Sequence, residues 1–369
     1  MTSYPCGLTN LGNTCFLNSC VQLLNYTEEL ANVPSHTFDT LHLCSFKTPP
    51  QGAVMSEECV ADCAFTSCAM RNGVTYDHVV FQEWRELRNL MMDARGQMSN
   101  PVATPGKFVK IIHDVARIKG RDLFTGWAQN DLPEFLLFMV ECMHNSRKRA
   151  VKMNINGSSE SDTDSLALQC YKMLKENYER GDYSEISDIF YGVYVSRLFT
   201  PNGSVLHSNK PESYFILDLP IPTSSQQTTL IDCFDVFVGD ELLTGWINEK
   251  TNEKEPVRKN ITFWSFPNIL VITLKRYSSY GRNKNCTLID FPLDNLDLSK
   301  YVVGYNASSY KYKLFGVANH MGGIMGGHYT AFVSIDGNKW YCCNDAEVTE
   351  IDHRIVVSSS AYCLFYRKK

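Results

Sequence analysis

The chain has 369 residues and a formal net charge of −5, with 44% apolar and 20% charged residues. These values suit a globular chain with a large core and exclude a nucleic-acid or anionic-membrane partner recruited by bulk charge. The longest apolar run, around Phe135 to Val140, is too short to cross a bilayer. Met1 to Cys6 offers neither the basic nor the apolar part of a signal peptide, so the 14 cysteines are expected to be reduced thiols in cytoplasm or nucleus.

Length alone allows two or three domains. A Gly-rich run, Gly7 to Thr14, precedes a helix predicted over 15–30, with Leu17, Val21 and Leu24 on one face. Residues 31–75, with Pro34, Pro49-Pro50, Gly52 and four cysteines, read as a long insertion. Helical periodicity resumes from Tyr76 to Met92. Asp131 opens a further helix whose apolar face is Leu132, Phe135, Leu136, Met139, Val140 and Met143. Asn156 to Ser165 is a polar connection, and a last helix runs from about Ser165 to Glu179.

From Ile189 onward the period is two. Val193–Val195, Ser213–Leu217, Ile269–Leu274, Tyr312–Val317, Tyr329–Ile335, Lys339–Cys343 and Tyr362–Tyr366 read as strands. Helices followed by strands describe an α+β chain of two lobes with a cleft between them.

Two distant stretches carry chemistry. Cys15 stands at the first turn of its helix, where the macrodipole favours a thiolate. His328 follows Gly326-Gly327 and leads a strand. The Asp336-Gly337 pair signals a two-residue hairpin, which sets His328 opposite Asp345, beside Asn344. Either side chain would hold the imidazole through Nδ1–H and leave Nε2 to take the thiol proton, and a slip of one residue exchanges the two.

These stretches resemble the ubiquitin-specific protease family of papain-like deubiquitinating enzymes. The likeness rests on six ordered segments. They are Gly7 to Ser19, Gln129 to Leu136, Pro267 to Tyr277, Phe291 to Asp294 with Tyr312 to Leu314, Gly326 to Ala331, and Trp340 to Asp345. The resemblance implies one catalytic domain over 1–369, with a helical thumb at about 1–185 and β-rich fingers and palm at about 186–369, the active site in the cleft.

By the same resemblance Cys15 is the nucleophile, His328 the base, Asn344 the third member and Asn10 the oxyanion-hole donor. Asp345 matches the acidic residue beside the third member and is expected in the same network. Substrate contacts fall to Gln129, Asp131, Glu134, Tyr277, Gly326, Gly327 and Tyr329. The implied reaction is hydrolysis after the C-terminal Gly-Gly of ubiquitin through a thioester. The implied partners are ubiquitin and ubiquitinated proteins, with no cofactor, and the protein is expected to act as a monomer. A non-catalytic ubiquitin-binding adaptor, or a protease for another Gly-Gly-ending modifier, is the alternative.

Several features also have plain structural readings. Asp131 and Glu134 fit a capping box as well as a subsite for a basic tail. The glycines at 322–323 and 326–327 fit loop punctuation as well as a close approach to a substrate lacking side chains. Many relatives hold a fingertip zinc with two Cys-x-x-Cys pairs. No cysteine stands in 196–204 or 250–259, so that zinc is expected to be absent. Cys44, Cys59, Cys63 and Cys68 match zinc spacing only loosely and are read as thiols.

Overall fold

The computed structural model describes residues 4–34, 75–95, 100–223, 227–248, 252–277, 283–323, 326–335 and 339–369. Most of the insertion read at 31–75, with its cysteines, therefore lies outside the described residues. Contacts divide the chain into two units. One comprises Met1–Lys148, Ser184–Ile186 and Asp345–Val348. The other comprises Arg149–Tyr183, Ser187–Asn344 and Thr349–Lys369.

The first unit is mainly helical. Strand β1 (Gly7–Leu8) pairs in parallel with β2 (Val102–Ala103), and β1 leads into α1 (Cys15–Asn25). The expected one-sided face of this helix does not exist: all eleven residues are buried. It ends at Asn25, and a 3₁₀ turn over Glu28–Asn32 takes up the remainder of the predicted span. Helix α2 (Tyr76–Ala94) starts where Thr75 accepts a hydrogen bond from the His78 N–H, and α3 is Gly106–Ile118.

Helix α4 (Leu132–Arg147) buries all six predicted apolar residues, each fully inaccessible to solvent. Phe135 of α4 meets Phe16 edge-on at 5.3 Å and Phe124 at 5.5 Å. Phe16 follows Cys15 directly, so this aromatic contact anchors the helix start. Burying such a side chain contributes about 1.5–3 kcal/mol.

The second unit opens on α5 (Asp162–Glu179). Its start lies inside the segment read as a polar connection, because Ser161 and Asp164 form a capping box. Strands β3 (Gly192–Phe199), β4 (Leu206–Tyr214), β5 (Ile216–Leu219) and β6 (Thr228–Thr229) follow. A helix not anticipated in this β-rich half, α6 (Leu230–Val238), is begun by a second capping box, Thr229 with Asp232. The remaining strands are β7 (Glu241–Ile247), β8 (Lys254–Ser265), β9 (Ile269–Leu274), β10 (Ile289–Asp290), β11 (Leu296–Asp297), β12 (Lys311–Gly323), β13 (Gly326–Ile335), β14 (Lys339–Asn344), β15 (Glu347–Ile351) and β16 (Ala361–Lys368).

Among the described residues these strands form three sheets. β6 pairs in parallel with β10, a second sheet has the order β4-β3-β8-β7, and the largest runs β15-β14-β13-β12-β16-β9-β5 with β11 paired to β12. All six residues of β9 are buried, as expected for a strand covered on both faces. Phe263 and Phe266 stack at 4.2 Å in the core of this unit. At the turn after β3, Asn202 Oδ1 accepts from Thr200 Oγ1, Ser204 N and Ser204 Oγ. The guanidinium carbons of Arg197 and Arg258 lie 5.1 and 5.8 Å from the Phe199 ring centroid. Side-chain hydrogen bonds and cation–π contacts hold this tip.

The β13–β14 hairpin corrects one expectation. Ile335 pairs with Lys339 and Ala331 with Cys343, a register one residue away from that of a two-residue turn. The connection has three residues, 336–338, so the expected pairing of His328 with Asp345 is not formed.

Candidate active site

In the first unit, Cys15 is the first residue of α1 and is 4% exposed. The run before it is shaped by hydrogen bonds rather than by regular structure. Asn10 Oδ1 accepts from the backbone N–H groups of Gly12 (2.9 Å) and Thr14 (3.2 Å). Thr14 Oγ1 accepts from Leu11 N at 3.0 Å. Asn13 takes a left-handed φ of 53° and donates its amide to Trp127 O. Asparagine tolerates that conformation better than most residues. The loop thus presents Cys15 on a helix N-terminus, the position that favours an anion.

The same unit holds Asp345, whose carboxylate accepts from Asn10 Nδ2 and Asn18 Nδ2, each at 2.8 Å. Asp345 was expected in the network of the third member; its carboxylate instead supports Asn10. Its φ of 51° is left-handed, so it departs from the extended path of the strand that ends at Asn344. Asn18 was missed from the sequence. The signal available was a polar residue three after Cys15, but Ser19, Gln22 and Asn25 of the same buried helix give that signal too.

Gln129, Asp131 and Glu134 also lie in this unit. Asp131 is the N-cap residue of α4, but its side chain makes no capping hydrogen bond. The capping-box reading is therefore wrong here. Pro133 in the first turn lacks an N–H, and Glu134 is exposed.

In the second unit, His328 Nε2 lies 2.6 Å from Asn344 Oδ1. A carboxamide oxygen only accepts, so Nε2 carries the hydrogen, and in the neutral ring Nδ1 carries the lone pair. This reverses the expected use of the two nitrogens. Tyr277, Gly326, Gly327 and Tyr329 share this unit. The four glycines are not a loop: Gly322 pairs with Gly327 and Gly323 with Gly326 across β12 and β13. A Cβ at Gly322 would stand 2.5 Å from Gly327 Cα, and one at Gly327 would stand 2.3 Å from Met321 O. Close strand packing therefore requires glycine at both positions.

Tyr329 is 6% exposed, and its ring lies 4.5 Å from that of His320, tilted by 38°. Tyr277 places its hydroxyl 2.8 Å from His320 Nδ1. His320 was also missed; nothing local marks a histidine on an apolar strand. Burial, then Lys284, then His328 push its pKa down to about 4. Among the described residues no cluster of three or more His, Cys, Asp or Glu side chains has the arrangement of a metal site.

The ubiquitin carboxyl-terminal hydrolase family model matches residues 6–366. Ubiquitin carboxyl-terminal hydrolase 2 of Rattus norvegicus is 31% identical over 369 residues, which are 98% of this chain and 53% of that protein. Ubiquitin carboxyl-terminal hydrolase Usp2 of Drosophila melanogaster is 29% identical over 372 residues, 98% of this chain and 35% of that protein. The chain thus spans between a third and about half of the length of these relatives. Among solved structures it is similar to a chain of the SAGA DUB module Ubp8/Sgf11/Sus1/Sgf73 bound to monoubiquitin. That likeness has a TM-score of 0.64 at 20% identity and covers 99% of this chain and 69% of that one. At that identity the likeness is one of fold.

Proposed function

The chain belongs to the ubiquitin carboxyl-terminal hydrolase family, and from that premise we propose that it is a cysteine-type deubiquitinase. Its substrates are peptide and isopeptide bonds that follow the C-terminal Gly-Gly of ubiquitin. The observation that carries the reading is the 2.6 Å bond between His328 and Asn344, in a chain that also sets a cysteine at the head of a buried helix. The fold match to a module bound to monoubiquitin supports the same substrate.

The chemistry follows from the ring geometry. Nδ1 of His328 takes the proton from Cys15 Sγ, and the thiolate attacks the carbonyl carbon of the terminal glycine. The carbonyl electron pair moves to oxygen. The second amide hydrogen of Asn10, the one not given to Asp345, donates to that oxyanion. Collapse of the intermediate breaks the C–N bond, and His328 returns its proton to the departing amine. Water, deprotonated by the same Nδ1, then attacks the thioester, freeing the carboxylate and restoring the thiol. The reading extends to ubiquitinated proteins as partners, to action as a monomer, and to a cytoplasmic or nuclear setting.

Ubiquitin carrying a C-terminal electrophile tests the assignment. A single adduct on the tryptic peptide containing Cys15 is the expected product. An adduct confined to another cysteine, or none at all, would remove Cys15 from the role.

A further inference from the structure

His320 is held in a way that its burial alone does not require. It lies on β12, 5% exposed. Its Nδ1 has two neighbours from the segment after β9: Tyr277 Oη at 2.8 Å and Lys284 Nζ at 3.2 Å. Lys284 Nζ also donates to the His320 carbonyl oxygen.

An ammonium has only hydrogens to offer, so the nitrogen facing it must present a lone pair. Nδ1 of His320 is therefore unprotonated and Nε2 bears the hydrogen. A proton on Nδ1 would point one donor at another 3.2 Å away, and a doubly protonated ring would add a second cation beside the ammonium. The Nε2 edge is turned to β13, where a Cβ on Gly327 would come within 2.4 Å of it. The ring lies over the glycine that precedes the candidate base.

Among the described residues Lys284 gains no ion pair from this position. It is half-buried, its neighbouring charges are Arg276 and the Cys286 thiol, and none of the described carboxylates pairs with it. Burial and Arg276 accordingly lower its pKa. The lysine is also kept from moving away. Arg276, 1% exposed, donates through Nη1 to both Asn285 O and Thr287 O, and through Nε to Ala361 O. An ammonium that loses hydration without a counter-ion is a net cost to folding; what it produces here is one fixed tautomer on one histidine.

We propose that Lys284 is a positioning residue: it locks His320 as the neutral Nε2–H tautomer, so that the glycine strand end at Gly326–Gly327 is backed by a fixed N–H donor for an extended main-chain segment without side chains. The inference rests on the proposed reading that the substrate ends in Gly-Gly. His320, rather than Lys284, would meet the substrate main chain; the lysine acts through it.

The test has two arms, run on wild type, Lys284→Met and Lys284→Arg. The first is steady-state hydrolysis of a ubiquitin C-terminal fluorogenic amide. Lys284→Met should raise KM about tenfold, the effect of one misplaced hydrogen bond, with kcat within about twofold of wild type. Lys284→Arg should stay near wild type. The second is ¹⁵N-histidine NMR, with the His320 signals assigned through His320→Gln. Wild type and Lys284→Arg should show a protonated Nε2 and a bare Nδ1; Lys284→Met should show the two tautomers averaging.

A wild-type KM in Lys284→Met, or an unchanged tautomer in that variant, overturns the proposal. So does a loss of kcat matched by a fall in melting temperature, which would mark a structural role only. If wild type hydrolyses no ubiquitin amide, the proposed function fails, and the NMR arm still decides whether Lys284 sets the tautomer.

Discussion

Asp345 accepts a 2.8 Å hydrogen bond from Asn10, whereas Asn344, its neighbour in the chain, makes the 2.6 Å contact with His328. The left-handed backbone at Asp345 separates the two side chains, and with them two jobs. One holds the His328 ring; the other holds the Asn10 amide. Replacing Asp345 by Ala leaves the Asn10 amide without its anchor, so kcat should fall about 10²-fold with KM nearly unchanged, the pattern for loss of one oxyanion donor. Steady-state kinetics on a ubiquitin amide check this. A rise in KM with wild-type kcat would assign Asp345 to ground-state binding instead.

Asn344→Ala should be at least as damaging. The carboxylate of Asp345 is committed to Asn10 and Asn18, so it provides no replacement holder for the imidazole. With Nε2–H unheld, the ring samples the wrong tautomer, and a loss of 10² to 10⁴ in kcat is expected. Asn344→Asp, which keeps an acceptor at the same place, should recover most of the rate. Equal, mild losses in Asn344→Ala and Asn344→Asp would contradict the orienting role.

Stability should depend on pH through His320. Tyr277 and Lys284 face its ring from the segment after β9, Tyr329 and His328 from β13, and Tyr362 from β16. Its pKa falls from 6.5 to about 4 in the folded chain. The unfolded chain therefore binds more protons in this range, and folding weakens as pH drops from about 6.5 towards about 4. Thermal melts across this range should show His320→Gln losing less stability on acidification than wild type. Parallel curves for the two proteins would show that His320 is not the titrating group.

Gly7 packs against the segment that carries Asp345. A Cβ there would stand 2.3 Å from Ala346 O, and Leu8 N donates to Asp345 O at 2.8 Å. The obstacle is backbone, which cannot rotate away. Gly7→Ala should lower stability by about 1–3 kcal/mol, seen as a lower denaturation midpoint, and should reduce kcat by shifting Asp345. A wild-type midpoint would mean that the strand relaxes freely.

The helical half was readable wherever one face is apolar. The six residues of α4 expected to be buried are so, because a 3.6-residue period maps directly onto burial. Helix α1 misled that logic, since it is buried all round and carries polar residues inside. The hairpin register was off by one because a turn signal fixes where a loop is, and one extra residue shifts every pair beyond it. The ring nitrogens of His328 could not be assigned from spacing at all, as they depend on which way the Asn344 side chain approaches. His320 and Lys284, 36 positions apart in sequence, meet only through tertiary structure.

The most direct test is hydrolysis of a ubiquitin C-terminal fluorogenic amide by wild type and by Cys15→Ala, alongside amides of other Gly-Gly-ending modifiers. Turnover of the ubiquitin amide by wild type, lost in Cys15→Ala while ubiquitin binding persists, is the predicted result. Undiminished turnover in Cys15→Ala, or a wild type that binds ubiquitin and hydrolyses none of the amides, would contradict it.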